Sequence, residues 1–165
     1  MIVYVNEKYL EENEASVNVN DRGYLLADGA YEGFRIYNGK IFKLQEHKKR
    51  FQRSLNELKI SYQIENEIEE IFTKLFEENS YTKDQELFFY MQITRGVAPR
   101  DHAFPKNTPK VGIYAFLTEN KISHEAYNNG IKVCTVPDNR WARCDIKCIS
   151  LVANCLAKQN AIDNG

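Results

Sequence analysis

Charge imbalance is almost absent from these 165 residues: 22 Lys and Arg stand against 23 Asp and Glu, for a net charge of −1 at pH 7. A field that would draw the chain to nucleic acid or to an anionic membrane surface is therefore missing, and neither is expected as a partner. The one basic run, Lys48-Lys49-Arg50 with Arg53, is most simply the solvated side of a helix. Long apolar runs are absent too. No stretch approaches the ~20 residues of a membrane span, and the opening MIVYVNEKYL has neither the charged nor the apolar region of a signal peptide. These absences predict a cytoplasmic protein with no membrane segment. Cysteine is scarce and clustered: Cys134, Cys144, Cys148 and Cys155 all fall in the last quarter, with no CxxC pair. The three histidines (His47, His102, His124) lie upstream of them, a spacing that argues against a zinc site and leaves metal ligands at none. Reduced, mostly buried thiols are the plain expectation.

What is present suffices for a core. Hydrophobic residues make up 43% and aromatics 12%, which excludes disorder as the main state. The length fits one ordinary domain with a proper core, or one domain plus a piece of another. Val3–Val5 and Lys8–Leu10 predict a small hairpin around Asn6-Glu7. Glu32–Tyr37 and Lys40–Lys43 flank Asn38-Gly39, the dipeptide that a turn with two positive φ angles favours. Leu44, His47, Phe51, Leu55 and Leu58 recur at helical spacing over Leu44–Leu58, and Ile64 through Phe76 do so again. Leu87–Thr94 and Val111–Thr118 read as strands, separated by a Gly- and Pro-bearing loop that carries Arg100, Asp101 and His102.

After Glu119 the composition turns polar, and a linker is placed at 121–130 behind a first domain of 1–120. Ile131–Val136 predicts a fresh strand, and Ser150 is suited to cap a helix running to about Asp163, with Leu151, Cys155, Leu156 and Ile162 on its apolar face and Asn164-Gly165 as its C-cap. Residues 131–165 would thus open a second unit too short to close a core of its own. The expected fold class is α+β: an N-terminal antiparallel sheet with two helices, then the first strand and helix of an incomplete α/β domain.

The stretch RWARCDIKCISLV (Arg140–Val152) places a lysine, Lys147, between two cysteines. If Arg140–Lys147 is extended, Trp141, Arg143, Asp145 and Lys147 share one face. That pattern fits an edge strand with a wet, charged face. It also fits a nucleophilic lysine, whose amine must lose its proton through desolvation or a nearby cation such as Arg143, with Asp145 opposing. The residues alone leave both open.

Four strings decide between them by resemblance: DRGYLLADGAYEGFRIYNG (Asp21–Gly39), EHKKRFQRS (Glu46–Ser54), QITRGVAPRDHAFP (Gln92–Pro105) and RWARCDIKCISLVANCLAKQNA (Arg140–Ala161). In this order, nearly end to end, the sequence resembles the fold-type IV (class IV), pyridoxal 5'-phosphate-dependent aminotransferases, most closely their D-amino acid (D-alanine) branch. The resemblance implies that Lys147 is the catalytic residue, forming the Schiff base with the cofactor and moving the proton between the substrate α-carbon and the cofactor. It implies that Arg50 binds the cofactor phosphate, a match for the planar guanidinium fork. It further implies that Tyr31, Arg100 and His102 hold the substrate α-carboxylate, with Arg100 and His102 reaching the pocket from the other subunit of a homodimer. The implied reaction converts D-alanine and 2-oxoglutarate, an amino acid and a 2-oxo acid, to pyruvate and D-glutamate.

The same resemblance implies a longer second domain, holding a glutamate for the pyridine nitrogen and further phosphate donors. The chain is accordingly expected to be truncated and inactive, or nearly so, on its own. Aminodeoxychorismate lyase and branched-chain aminotransferase share the fold and the lysine, but the Arg100/His102 pair favours the D-specific branch. A reading of another class is a dimerising α+β module without cofactor.

Overall fold

The computed structural model describes residues 1–164. In chain order the elements are β1 (Ile2–Val5), β2 (Lys8–Glu11), α1 (Arg22–Leu26), β3 (Gly29–Tyr37), β4 (Lys40–Ile41), α2 (Leu44–Glu57), α3 (Glu67–Glu78), β5 (Leu87–Thr94), β6 (Gly112–Glu119), α4 (His124–Asn129) and α5 (Val152–Asp163). Asn6 and Glu7 turn the first hairpin with φ of 48° and 69°, and Asn38 and Gly39 turn the second with 51° and 69°. These are the mirror-image turns whose twist suits antiparallel strands. β4 stops two residues short of the expected Lys43, because Lys43 adopts left-handed backbone (φ 49°) at the start of α2.

The strands form one antiparallel sheet in the order β2-β1-β6-β5-β3-β4. Alternation along β3 and β5 sends Phe34, Ile36, Phe89 and Met91 to one face, where Phe51 and Leu55 of α2 and Ile68 and Leu75 of α3 cover them. All eight side chains are fully buried, at about 1.5–3 kcal/mol each. The opposite face carries Tyr31, Tyr90 and Phe116, stacked with centroids 5.5 and 5.2 Å apart. The fold is α+β, as the sequence predicts.

The later residues depart from expectation. α3 begins at Glu67 rather than near Ile64. The polar stretch placed as a linker contains α4, whose cap Ser123 accepts from the Ala126 amide at 3.1 Å. Ile131–Val136 forms no strand and is exposed, since no described strand lies beside it to complete a ladder. α5 forms, but Ser150 gives it no side-chain cap and none of its residues is buried, with Leu156 64% exposed. Its C-cap is Asn164, and the expected Gly165 lies outside the described residues. Only Cys148 of the four cysteines is buried, contrary to expectation, because the segment around the others packs so little.

Candidate active site

Lys147 is set by its backbone before its side chain. Ala30 and Cys148 form an isolated antiparallel bridge, the Tyr31 amide donates to the Lys147 carbonyl at 3.0 Å, and the Ile149 amide donates to the Gly29 carbonyl at 3.1 Å. The stretch therefore docks on the start of β3 without becoming the extended strand considered for Arg140–Lys147. Its other side is fixed from α2: the Lys147 amide donates to Ser54 Oγ at 3.1 Å, and Ser54 is fully buried. Ile146 and Cys148 point inward as flanking anchors. The half-buried Lys147 then projects over the ring of Tyr31, with Nζ 3.7 Å from its centroid. An ammonium at that distance is attracted by the ring face. Lys147, Tyr31 and Arg50 all line one open cleft of about 550 Å³, together with Trp141 and Cys144.

Arg50 is not a free cation. Its Nε and Nη2 donate to Glu32 Oε1 and Oε2 at 2.6 and 2.8 Å, and the Glu32 side chain is wholly buried. The hydrogen bonds from the guanidinium to Glu32 raise the Arg50 pKa further above its ordinary value. His47 Nδ1 lies 2.5 Å from Glu32 Oε2. A carboxylate only accepts, so Nδ1 carries the proton and donates. His47, expected on the apolar stripe of α2, does rest against Phe34, with ring centroids 4.9 Å apart. The guanidinium edge expected to grip phosphate bidentately is thus taken by Glu32. Nη1 makes no hydrogen bond among the described residues, which leaves that nitrogen to the cleft.

Arg143 and Asp145 do not bracket Lys147 as two opposing charges. Arg143 donates to both Asp145 oxygens at 2.9 Å and to Glu57 at 2.6 Å, and Arg53 reaches the Asp145 carboxylate from α2 at 3.3 Å. The hydrogen bond from Arg143 holds the Asp145 carboxyl at about 2. Arg100 and His102 lie exposed in the 95–111 loop, outside the residues lining the Lys147 cleft. Of the five residues singled out in the sequence, the fold brings together Lys147, Tyr31 and Arg50 and leaves the other two apart. It adds Glu32 and Ser54, which sequence reasoning passed over. Glu32 was findable: in period-two alternation it is in phase with buried Phe34 and Ile36.

A lysine amine on an aromatic face and a carboxylate-oriented arginine share one cleft beside a six-stranded sheet, and comparison with known proteins specifies the class of protein that carries it. Residues 29–165 match the model of the family described as amino-transferase class IV, and the chain belongs to that family. It is 41% identical over 162 residues to D-alanine aminotransferase of Staphylococcus haemolyticus, covering 97% of this chain and 56% of the relative. It is 39% identical to D-alanine aminotransferase of Bacillus licheniformis, covering 98% and 56%. The chain therefore spans about half the length of the curated relatives it matches. Among solved structures it superposes on the T.th. branched-chain amino acid aminotransferase with pyridoxamine 5'-phosphate (TM-score 0.77, 21% identity, 99% of this chain and 56% of that one). It also superposes on 4-amino-4-deoxychorismate lyase of Pseudomonas aeruginosa (TM-score 0.70, 18% identity, 95% and 56%). At these identities the two structures share the fold.

Proposed function

We propose that this chain carries the cofactor lysine, a phosphate ligand and the carboxylate-binding residues of a pyridoxal 5'-phosphate-dependent D-amino acid aminotransferase, converting D-alanine and 2-oxoglutarate to pyruvate and D-glutamate. The observation that carries it is the Lys147 amine lying over Tyr31 in the cleft that Arg50 shares. When bound, the cofactor supplies the electron sink for chemistry at the amino acid α-carbon. Lys147 Nζ is the anchoring amine and the base that moves the α-proton, and Tyr31 supports it from below. Arg50, oriented by Glu32, offers Nη1 to the phosphate. Arg100 and His102 lie outside this cleft, which supports their serving the cleft of a second copy and hence a homodimer. With Tyr31 they hold the α-carboxylate, fixing which face of the α-carbon meets the lysine.

On the same reading residues 1–120 are one domain, 121–130 are a linker, and 131–165 open the domain that completes the cofactor site. The free thiols suit a reducing cytoplasm, and no described helix is long and apolar enough to cross a membrane.

The test is direct. The polypeptide is incubated with pyridoxal 5'-phosphate, reduced with borohydride, digested and weighed, with Lys147→Ala alongside. A pyridoxyl adduct on Lys147, absent in the variant, is the expected result. A colourless protein with no adduct refutes the reading and leaves a cofactor-free dimerising module. Catalysis is tested separately: this span alone should transfer the amino group of D-alanine to 2-oxoglutarate little or not at all, and robust transfer would refute that expectation. Turnover only of branched-chain L-amino acids, or pyruvate release from aminodeoxychorismate, would move the assignment to the corresponding relative.

A further inference from the structure

Away from the Lys147 cleft, two arginines are buried around one carboxylate. Arg22, at the start of α1, is 2% exposed and donates from Nε to Asp28 Oδ2 at 2.8 Å. Arg95, at the end of β5, donates to both oxygens of the same carboxylate, at 2.8 and 3.0 Å. Arg95 also donates to the Leu58 and Lys59 carbonyls just beyond α2, at 2.7 and 2.9 Å, and its guanidinium lies 3.8 Å above the Phe104 ring. The free end of Arg22 points the other way. Its Nη1 donates to the Asp101 carbonyl at 2.7 Å and contacts the Ala103 carbonyl at 3.4 Å. These two carbonyls flank His102.

Burying three charges is costly, and apolar packing would hold a loop more cheaply. What a guanidinium fork adds is direction: fixed at one end by Asp28, Arg22 can present its other nitrogens in one orientation only. The stretch from Arg95 to Val111 has Pro99, Pro105 and Pro109 and no helix or strand of its own, so its shape comes from such contacts. The anchors at Leu58 and Lys59 refer the loop to α2, the helix that carries Arg50.

We propose that Arg22, oriented by Asp28, is a positioning residue that sets Arg100 and His102 for recognition of a substrate carboxylate. The inference rests on the reading of Arg100 and His102 as carboxylate ligands. A lysine at position 22 keeps the charge but cannot hold Asp28 and both carbonyls at once.

The test compares the wild type with Arg22→Lys and, as a second displacement of the same fork, Asp28→Glu. Two readouts are taken: native-state trypsin cleavage after Arg100, and the NMR response of the Arg100 and His102 side chains to propionate, an unreactive carboxylate, in the cofactor-loaded protein. Loss of one charge-assisted contact predicts cleavage about tenfold faster and a half-saturating propionate concentration about tenfold higher in both variants. Unchanged cleavage in both overturns the proposal, as does faster cleavage with an unchanged propionate response. A purely structural role would move the first readout and not the second. Arg100→Ala separates the two levels: if it leaves the His102 response to propionate as in the wild type, the carboxylate reading fails, and this inference with it.

Discussion

The carboxylate of Glu32 is the most consequential single group in the site, and Glu32→Gln measures it. Glu32 is fully buried and accepts three hydrogen bonds, two from Arg50 and one from His47, at 2.5–2.8 Å. An amide keeps one acceptor oxygen and turns an NH2 toward donors, so one or two of these bonds are lost. Bonds to charged groups are worth about 1.5–3 kcal/mol each. The Arg50 side chain is 48% exposed and can turn to water, which discounts its share. The expected net loss is about 2–3 kcal/mol. With a urea slope of about 2 kcal/mol/M, the unfolding midpoint should fall by about 1–1.5 M at unchanged slope. A cycle with Arg50→Gln should return a coupling of about 1–2 kcal/mol between the two positions. Pyridoxal 5'-phosphate affinity should fall in the same variant, since Arg50 loses the partner that aims it. A midpoint shift below about 0.25 M, equivalent to about 0.5 kcal/mol, would show that Glu32 does not organise the site.

Ser54→Ala should cost about 1 kcal/mol and loosen the Lys147 segment, because the Lys147 amide loses its acceptor; labelling of buried Cys148 by a thiol reagent should accelerate, and an unchanged rate would count against that tether. Gly96→Ala should destabilise by more than about 3 kcal/mol in thermal unfolding, since a Cβ there meets the Lys110 carbonyl oxygen at 1.9 Å on backbone with φ of 93°. Asp28 gives a pH signature. Burial alone would push its carboxyl up, but hydrogen bonds from Arg95 and Arg22 outweigh that and hold it below the ordinary 3.8. A depressed carboxyl adds stability that is fully present above the unfolded value and is lost as pH falls through the folded one. Asp28→Asn should therefore be less stable than the wild type at neutral pH, with the gap narrowing only as pH drops below about 4; a gap constant down to about pH 2 would refute the pairing.

Local signals in the sequence were legible where the cause was local. Asn38-Gly39 sets its own turn, and the spacing of Phe51 and Leu55 predicts the buried stripe of α2 without knowledge of what covers it. The short α1 was not legible: it runs only over Arg22–Leu26 and is opened by Asp21, whose carboxylate accepts from the Gly23 amide at 2.7 Å. Ile131–Val136 has strand composition, but a strand is defined by its neighbour, and composition carries no information about one. The candidate site divides in the same way. Periodicity says only that Lys147 sits in an ambiguous charged stretch, and the role proposed for it comes from resemblance. Neither reached Glu32, Ser54 or the Arg22–Asp28–Arg95 cluster, whose meaning depends on partners distant in sequence. Arg50 has a second engagement that its own string, Glu46–Ser54, does not announce, since Glu32 holds one edge of its guanidinium.

The sheet order also fixes which strand pairing must bridge the most chain. β1 and β2 close on each other through a local turn, yet an isolated two-stranded hairpin is only marginally stable in water. Its sheet partner is β6, where Tyr4 pairs with Ala115 and Val5 with Tyr114, roughly a hundred residues downstream. On the ribosome the first strand made therefore waits for the last strand of the sheet, with one edge unsatisfied while α2, α3 and β5 are still being synthesised. Of the strand pairings in the sheet, β1 with β6 closes the longest loop of chain and therefore carries the largest loop-closure cost.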